Sequence, residues 1–239
     1  SELQYYVPDD VYVESGSLRL RSRVRDFGSQ HYTSGRVDTQ GRFAPVYGRF
    51  EIRSKLPGGK GLWPAHWLYP QDRDWAMEQL MAAAVANGQE RLIPEARPWY
   101  SEIDIMEFVG RLPNEIFGTI HGPGYSGGQS FGGIYDFGTP VYDDWHTFSV
   151  EWTPEKIDWY VDGIQYHSAT SADIAPNEWV FDHPFTLLTN VAVGGNFGGA
   201  LGDDLVFPQS LTVDYIKVFQ APDTAERFEA TVTRVFPQV

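Results

Sequence analysis

Short runs of β-branched and aromatic residues, each closed by turn formers, recur along the chain: VYVE (11–14), SLRLRSR (17–23), YGRFEIRSK (47–55), EIFGTIH (115–121), HTFSVEW (146–152), KIDWYV (156–161) and LTVDYIKVF (211–219). That spacing specifies an all-β chain folded as an antiparallel sandwich. Within KIDWYV, Ile157, Trp159 and Val161 alternate with Asp158 and Tyr160, the period of a strand with one face in the core. Asp162-Gly163 follows, and these two residues suit the positive φ angles of a type I′ hairpin into Ile164-Gln165-Tyr166. One segment departs from the pattern. Residues 74–91, DWAMEQLMAAAVANGQER, are rich in helix formers and close on Asn87-Gly88, so a surface helix is expected there.

A chain of 239 residues can form one large β domain, and no repeat, charge block or linker divides it. Residues 1–239 therefore read as a single domain, with 71–100 as an insertion and 222–239 as a tail or added strand. The glycine-rich stretches 121–133 and 193–203 are expected as loops at the rim of a cleft.

Charge narrows the partners. Thirty-two acidic residues against eighteen basic ones give a net charge of −14. Such a surface repels phosphate backbones and anionic membranes, which excludes nucleic acid and membrane as partners and favours a neutral polymer. Eight tryptophans supply flat apolar faces, for core packing or for stacking on sugar rings. The absence of cysteine leaves the redox compartment open. No apolar run is long enough to span a membrane, and SELQYYVPDD lacks the regions of a signal peptide, so secretion is inferred from function alone.

The segment SEIDIMEF (101–108) places three acids within six positions on a run of strand formers. On a regular strand Glu102, Asp104 and Met106 share one face and Glu107 takes the other. A β-bulge at Ile105–Met106 adds one residue and turns Glu107 back toward Glu102 and Asp104. Two carboxyl groups on neighbouring positions of one face suit a retaining glycosidase, which needs a nucleophile and an acid/base about 5–5.5 Å apart. Spacing alone leaves open an acidic edge strand with its charges in solvent. Upstream, Trp63 and Trp67 lie four apart in GKGLWPAHWL (59–68), a spacing suited to presenting ring faces to sugars or to the core.

The run Glu102-Ile103-Asp104-Ile105-Met106-Glu107 matches the signature E-[hydrophobic]-D-[hydrophobic]-x-E, and here the chain resembles glycoside hydrolase family 16. The resemblance extends through YTSGRVDT (32–39), YGRFEIRSKLPGGKGLWPAHWL (47–68), GTIHGPGYSGG (118–128), DDWHTFSVEW (143–152), VFDHPFTLLTNVAVGGN (180–196) and LTVDYIKVFQ (211–220). The extra residue, Met106, is similar to the bulged laminarinase branch; the lichenase branch has a regular E-x-D-x-E strand.

The resemblance implies a β-jelly-roll sandwich of the concanavalin A-like kind with a concave cleft. It also implies a monomeric, secreted enzyme that cuts within β-1,3-glucans such as laminarin, retaining anomeric configuration without a catalytic cofactor. Agarases and carrageenases share the bulge, so other β-glycans, agarose and mixed-linkage glucan among them, stay open as substrates.

Carried over residue by residue, the resemblance makes Glu102 the nucleophile, Glu107 the acid/base and Asp104 the carboxyl that orients and tunes them. It places His121 beside the acid/base, Trp63 and Trp67 as sugar platforms, and Arg36 and Asn190 where polar groups meet glucose hydroxyls. A structural Ca2+ on the convex face would draw on Glu14, Gly48 and Asp214. Three features depart from the family: Ser1 stands at the start of an N-E-L-Q-Y-Y motif, the insertion between Tyr69 and Tyr100 is long, and Phe197 replaces a common Trp.

Two further motifs match by letter only. Gly124-Tyr125-Ser126-Gly127-Gly128 fits G-x-S-x-G, and Gly122–Gly127 fits G-x-G-x-x-G, but no helix follows either. A non-catalytic, lectin-like glycan-binding module shares the expected architecture and stands as the rival function.

Overall fold

The computed structural model describes residues 2–71, 101–203, 205–220 and 231–234. The helix expected at 74–91 lies outside them. The strands are β1 (Gln4–Tyr6), β2 (Val11–Glu14), β3 (Ser17–Phe27), β4 (Gln30–Ser34), β5 (Arg36–Asp38), β6 (Gly48–Lys55), β7 (Leu62–Pro70) and β8 (Glu102–Phe108). They continue with β9 (Glu115–His121), β10 (Phe131–Asp136), β11 (His146–Trp152), β12 (Lys156–Val161), β13 (Ile164–Thr170), β14 (Phe185–Val193), β15 (Gln209–Gln220) and β16 (Thr231–Arg234).

These strands form two sheets packed as a jelly-roll sandwich. One runs β1-β4-β3-β15-β6-β11-β12-β13, with β2 added on β3 and β16 on β15; the other runs β10-β9-β8-β7-β14-β5. The part of the expected tail that is described is thus an added strand, antiparallel to β15 through Lys217↔Arg234.

Alternation decides which side of each strand is dry. On β6, Phe50, Ile52 and Ser54 are buried, while Arg49 and Arg53 point outward and pair with Glu151 and Asp214, each at 2.6 Å. Between the sheets lie Trp152, Trp159, Phe50, Phe148 and Phe185, all fully buried. Burial of each such side chain contributes roughly 2–3 kcal/mol, so a core of this kind needs no disulfide. The β12–β13 hairpin closes on Asp162 (φ 49°) and Gly163 (φ 82°), the left-handed pair that the type I′ turn requires.

Two expectations change. The stretch 121–133 is a loop only in part, since Phe131, Gly132 and Gly133 enter the edge strand β10. Glycine serves packing there: a Cβ on Gly133 would lie 2.4 Å from the ring of His167 on β13. The proposed calcium ligands also fail to gather. Glu14 closes the β2–β3 turn opposite Ser17, and Leu18 pairs with Val213, so Glu14 and Asp214 share one end of the sheet. Gly48 packs on Phe219, five residues along β15 from Asp214, or about 16 Å at strand rise. Glu14 faces Arg19 at 3.7 Å and Asp214 is held by Arg53, so the two carboxylates already have cationic partners.

Candidate active site

The site is built on β7 and β8, antiparallel neighbours in the middle of the six-stranded sheet. Along β7, Trp63, Ala65 and Trp67 face the cleft, whereas Leu62, His66 and Leu68 are fully buried in the core. Along β8 the pairing with β7 runs Ile103↔Leu68 and Asp104↔Trp67, then resumes at Met106↔His66 and Glu107↔Ala65. Ile105 is skipped. Against β9 the register passes from Asp104↔Thr119 to Glu107↔Phe117, so Ile105 and Met106 together oppose Gly118.

This is a β-bulge, and it lets two successive apolar residues, Ile105 and Met106, both point into the core at 1% and 0% exposure. Glu107 is thereby returned to the side of Glu102 and Asp104. All three line one cavity of about 240 Å³ together with Trp63, Trp67 and Arg36.

Crowding three carboxyls in a half-dry cleft changes their acidity. Burial pushes Glu102 up to about 8; the charge of Asp104 adds to this, and His121 and Arg36 oppose it. Burial likewise lifts Asp104 to about 8. Glu107 is held well above the ordinary carboxyl range, first by burial and then by the charges of Asp104 and Glu102, with His121 and the Trp63 N–H opposing. The hydrogen bond between the two raises Glu102 and lowers Asp104, so they titrate as a pair.

His121 is paired in register with Glu102 and lies 3.1 Å from Asp104 and 3.9 Å from Glu102. It therefore attends the Glu102–Asp104 pair, where the resemblance put it beside Glu107. Its Nδ1 accepts a hydrogen bond from the Gly127 N–H at 3.3 Å, which leaves Nε2 to carry the proton that faces the carboxyls. Ligand atoms of Glu102, Asp104 and His121 lie within 4.8 Å of one another, a spacing that would also suit a divalent ion.

The tryptophans are fixed by hydrogen bonds as well as by packing. Trp63 donates its indole N–H to Glu107 Oε1 at 2.9 Å and meets Phe197 edge-on at 5.6 Å. Trp67 donates to Asn190 Oδ1 at 2.7 Å, and Asn190 Nδ2 donates to the Tyr6 hydroxyl at 3.0 Å. Both ends of the Asn190 amide are thus engaged within the protein, so it orients Trp67 and borders the cavity. Arg36 lies over the Trp67 ring at 5.3 Å and over the Tyr6 ring at 5.8 Å.

Glu2 and Tyr6 also line the cavity, and sequence reasoning missed them. Their signal was the period of two in Glu2-Leu3-Gln4-Tyr5-Tyr6, which puts Glu2, Gln4 and Tyr6 on one side of a strand.

The comparisons with known proteins agree with this geometry. The family model for glycosyl hydrolases family 16 matches residues 87–217. A β-glucanase from Rhodothermus marinus is 37% identical over 230 residues, covering 92% of this chain and 74% of the relative. A glucan endo-1,3-β-glucosidase A1 from Niallia circulans is 36% identical over 240 residues, and there the chain spans 32% of the relative's length and 92% of its own. Among solved structures, the laminarinase catalytic domain from Thermotoga maritima MSB8 superposes with a TM-score of 0.79 at 40% identity, covering 93% of this chain and 84% of that one. Alike in sequence and in its two sheets, this chain belongs to glycosyl hydrolases family 16.

Proposed function

We propose that the chain hydrolyses internal β-1,3-glucosidic bonds of laminarin-type glucans, with retention of configuration. The observation that carries this reading is the bulge at Ile105–Met106, which brings Glu107 onto the face of Glu102 and Asp104 in a tryptophan-lined cleft. The similarity to a β-glucanase, an endo-1,3-β-glucosidase and a laminarinase supports the substrate class.

In this reading Glu107 is the acid, because burial and the charges of Asp104 and Glu102 favour its protonated form and it stands apart from the Glu102–Asp104 pair. Glu102 attacks the anomeric carbon while the Glu107 proton passes to the departing glycosidic oxygen. The proton shared by Glu102 and Asp104 settles on Asp104 as Glu102 bonds to the sugar. Esterified Glu102 carries no charge, so Glu107 then acts as base toward water, and the second displacement restores the starting configuration. Trp63 and Trp67 supply faces for pyranose rings, and Arg36 supplies donors to hydroxyls.

A polymeric substrate supports a secreted enzyme. The carboxyl pair accomplishes hydrolysis without a cofactor. For calcium, Glu14, Gly48 and Asp214 form no common cradle.

The test is release of reducing ends from laminarin, lichenan and agarose in parallel, with the first-formed anomer followed by proton NMR. Laminarin is expected to be preferred and the β-anomer to appear first. Loss of the general acid in Glu107→Gln is expected to lower kcat by about 10²–10⁴-fold on laminarin. With an activated aryl leaving group, which needs no proton, the glycosylation step, read as kcat/KM or as the burst of released phenol, should recover most of that loss in Glu107→Gln and none in Glu102→Gln. Binding of laminarin without any cleavage by the parent chain would favour the lectin-like alternative.

A further inference from the structure

Glu107 reaches the face of Glu102 only because of the bulge, and a bulge interrupts the ladder, so the backbone beside it needs other partners. The opposite sheet supplies one. Trp159 on β12, fully buried, donates its indole N–H across the core to the main-chain oxygen of Asp104 at 2.8 Å. That oxygen belongs to the peptide joining Asp104 to Ile105, the peptide that enters the bulge.

Room for this contact is made on β9. Gly118 stands opposite Ile105 and Met106, and a Cβ there would lie 2.3 Å from Trp159 Cδ1 and 2.7 Å from Trp159 Nε1. Any larger residue would displace the indole. Trp159 is steadied by the His167 ring, 5.2 Å away, and its position in β12 is set by pairing with Val150 on one side and His167 on the other.

We infer that Trp159 is a positioning residue for the reacting carboxyls: its indole pins the peptide at the mouth of the bulge and so fixes the direction of Glu107. The inference rests on the assignment of Glu102 and Glu107 above. It differs from ordinary core packing because the hydrogen bond is made to the one strand whose irregularity the chemistry needs.

The same core provides a matched comparison. Trp152 on β11 is also buried and donates its indole N–H to a main-chain oxygen, that of Phe181, at 3.0 Å. It packs among Tyr47, Phe50 and Phe185. Trp159→Phe and Trp152→Phe therefore delete the same kind of bond, the first at the bulge and the second elsewhere.

Both variants are assayed on laminarin at a temperature where circular dichroism shows them folded, and their carboxyl titrations are followed by carbon-13 NMR, which needs no substrate. Trp159→Phe is expected to lower kcat by between about ten- and a hundredfold with little change in KM, as displacement of a reacting group does. The Glu107 titration should move in Trp159→Phe and stay in place in Trp152→Phe. Equal kcat values and unmoved titrations in the two variants would overturn the inference. If Trp159→Phe does not fold, Gly118→Ala, which keeps the indole but pushes it off its place against the Asp104 oxygen, is judged by the same two measurements. A parent chain inactive on laminarin counts against the proposed function alone, since the titration still decides the positioning role.

Discussion

Glu107 is an acid by location. A glutamate in water is ionised at neutral pH, whereas this one is desolvated and faces two more carboxyls, so its proton is retained. Asp104 takes part in that effect, and its charge can be removed. In Asp104→Asn the repulsion that raises Glu107 is reduced, so the alkaline limb of the kcat/KM profile on laminarin should move to lower pH, whatever the loss in rate. A limb unchanged would show that burial and the charge of Glu102 set the acid without Asp104, and one moved to higher pH would overturn the repulsion. At this scale the three acids were legible from their spacing and the family signature. The task of Asn190 was not, because its amide is committed to Trp67 and Tyr6, partners 123 and 184 positions away in sequence.

Among the elements, β7 and β8 act as a unit. His66 sits between Ala65 and Trp67, opposite the bulge residue Met106, and is wholly buried. Its Nε2 meets Ser54 Oγ on the other sheet at 2.9 Å and its Nδ1 meets Thr189 Oγ1 on β14 at 2.7 Å, so one ring ties three strands together. Burial pushes its pKa down to about 3. A histidine lowered in this way contributes stability that is present above its unfolded value of about 6.5 and is lost as pH falls toward 3. Replacement by a residue that does not titrate should remove that dependence. Between pH 7 and pH 4.5, His66→Gln is expected to lose about 2–3 kcal/mol less of its unfolding free energy in urea than the parent chain. Equal losses would mean that the ring is protonated in place. Alternation in WPAHW put His66 opposite in phase to the tryptophans, but its two hydroxyl partners depend on which strands β7 lies against.

For the molecule as a whole, a net charge of −14 and a neutral substrate make a simple pairing. Association with laminarin has no long-range attraction to screen, so kcat/KM should change by less than about twofold between low salt and 0.5 M NaCl. A sulfated galactan should be cut poorly at low salt; a steep fall in laminarin cleavage with added salt would point instead to a local cationic subsite. The sequence by itself determined the two-layer β architecture, the Asp162-Gly163 hairpin and the identity of the reacting acids. Those features are encoded locally, in periods of two, turn residues and spacing along one strand. Only the tertiary structure decided that Ile105 is the residue left unpaired, that His121 stands by Asp104, that Glu2 and Tyr6 border the cleft, and that Gly48 lies far from Asp214. Each of these depends on which strand lies beside which and in what register, and register is fixed when two sheets bury their apolar faces together.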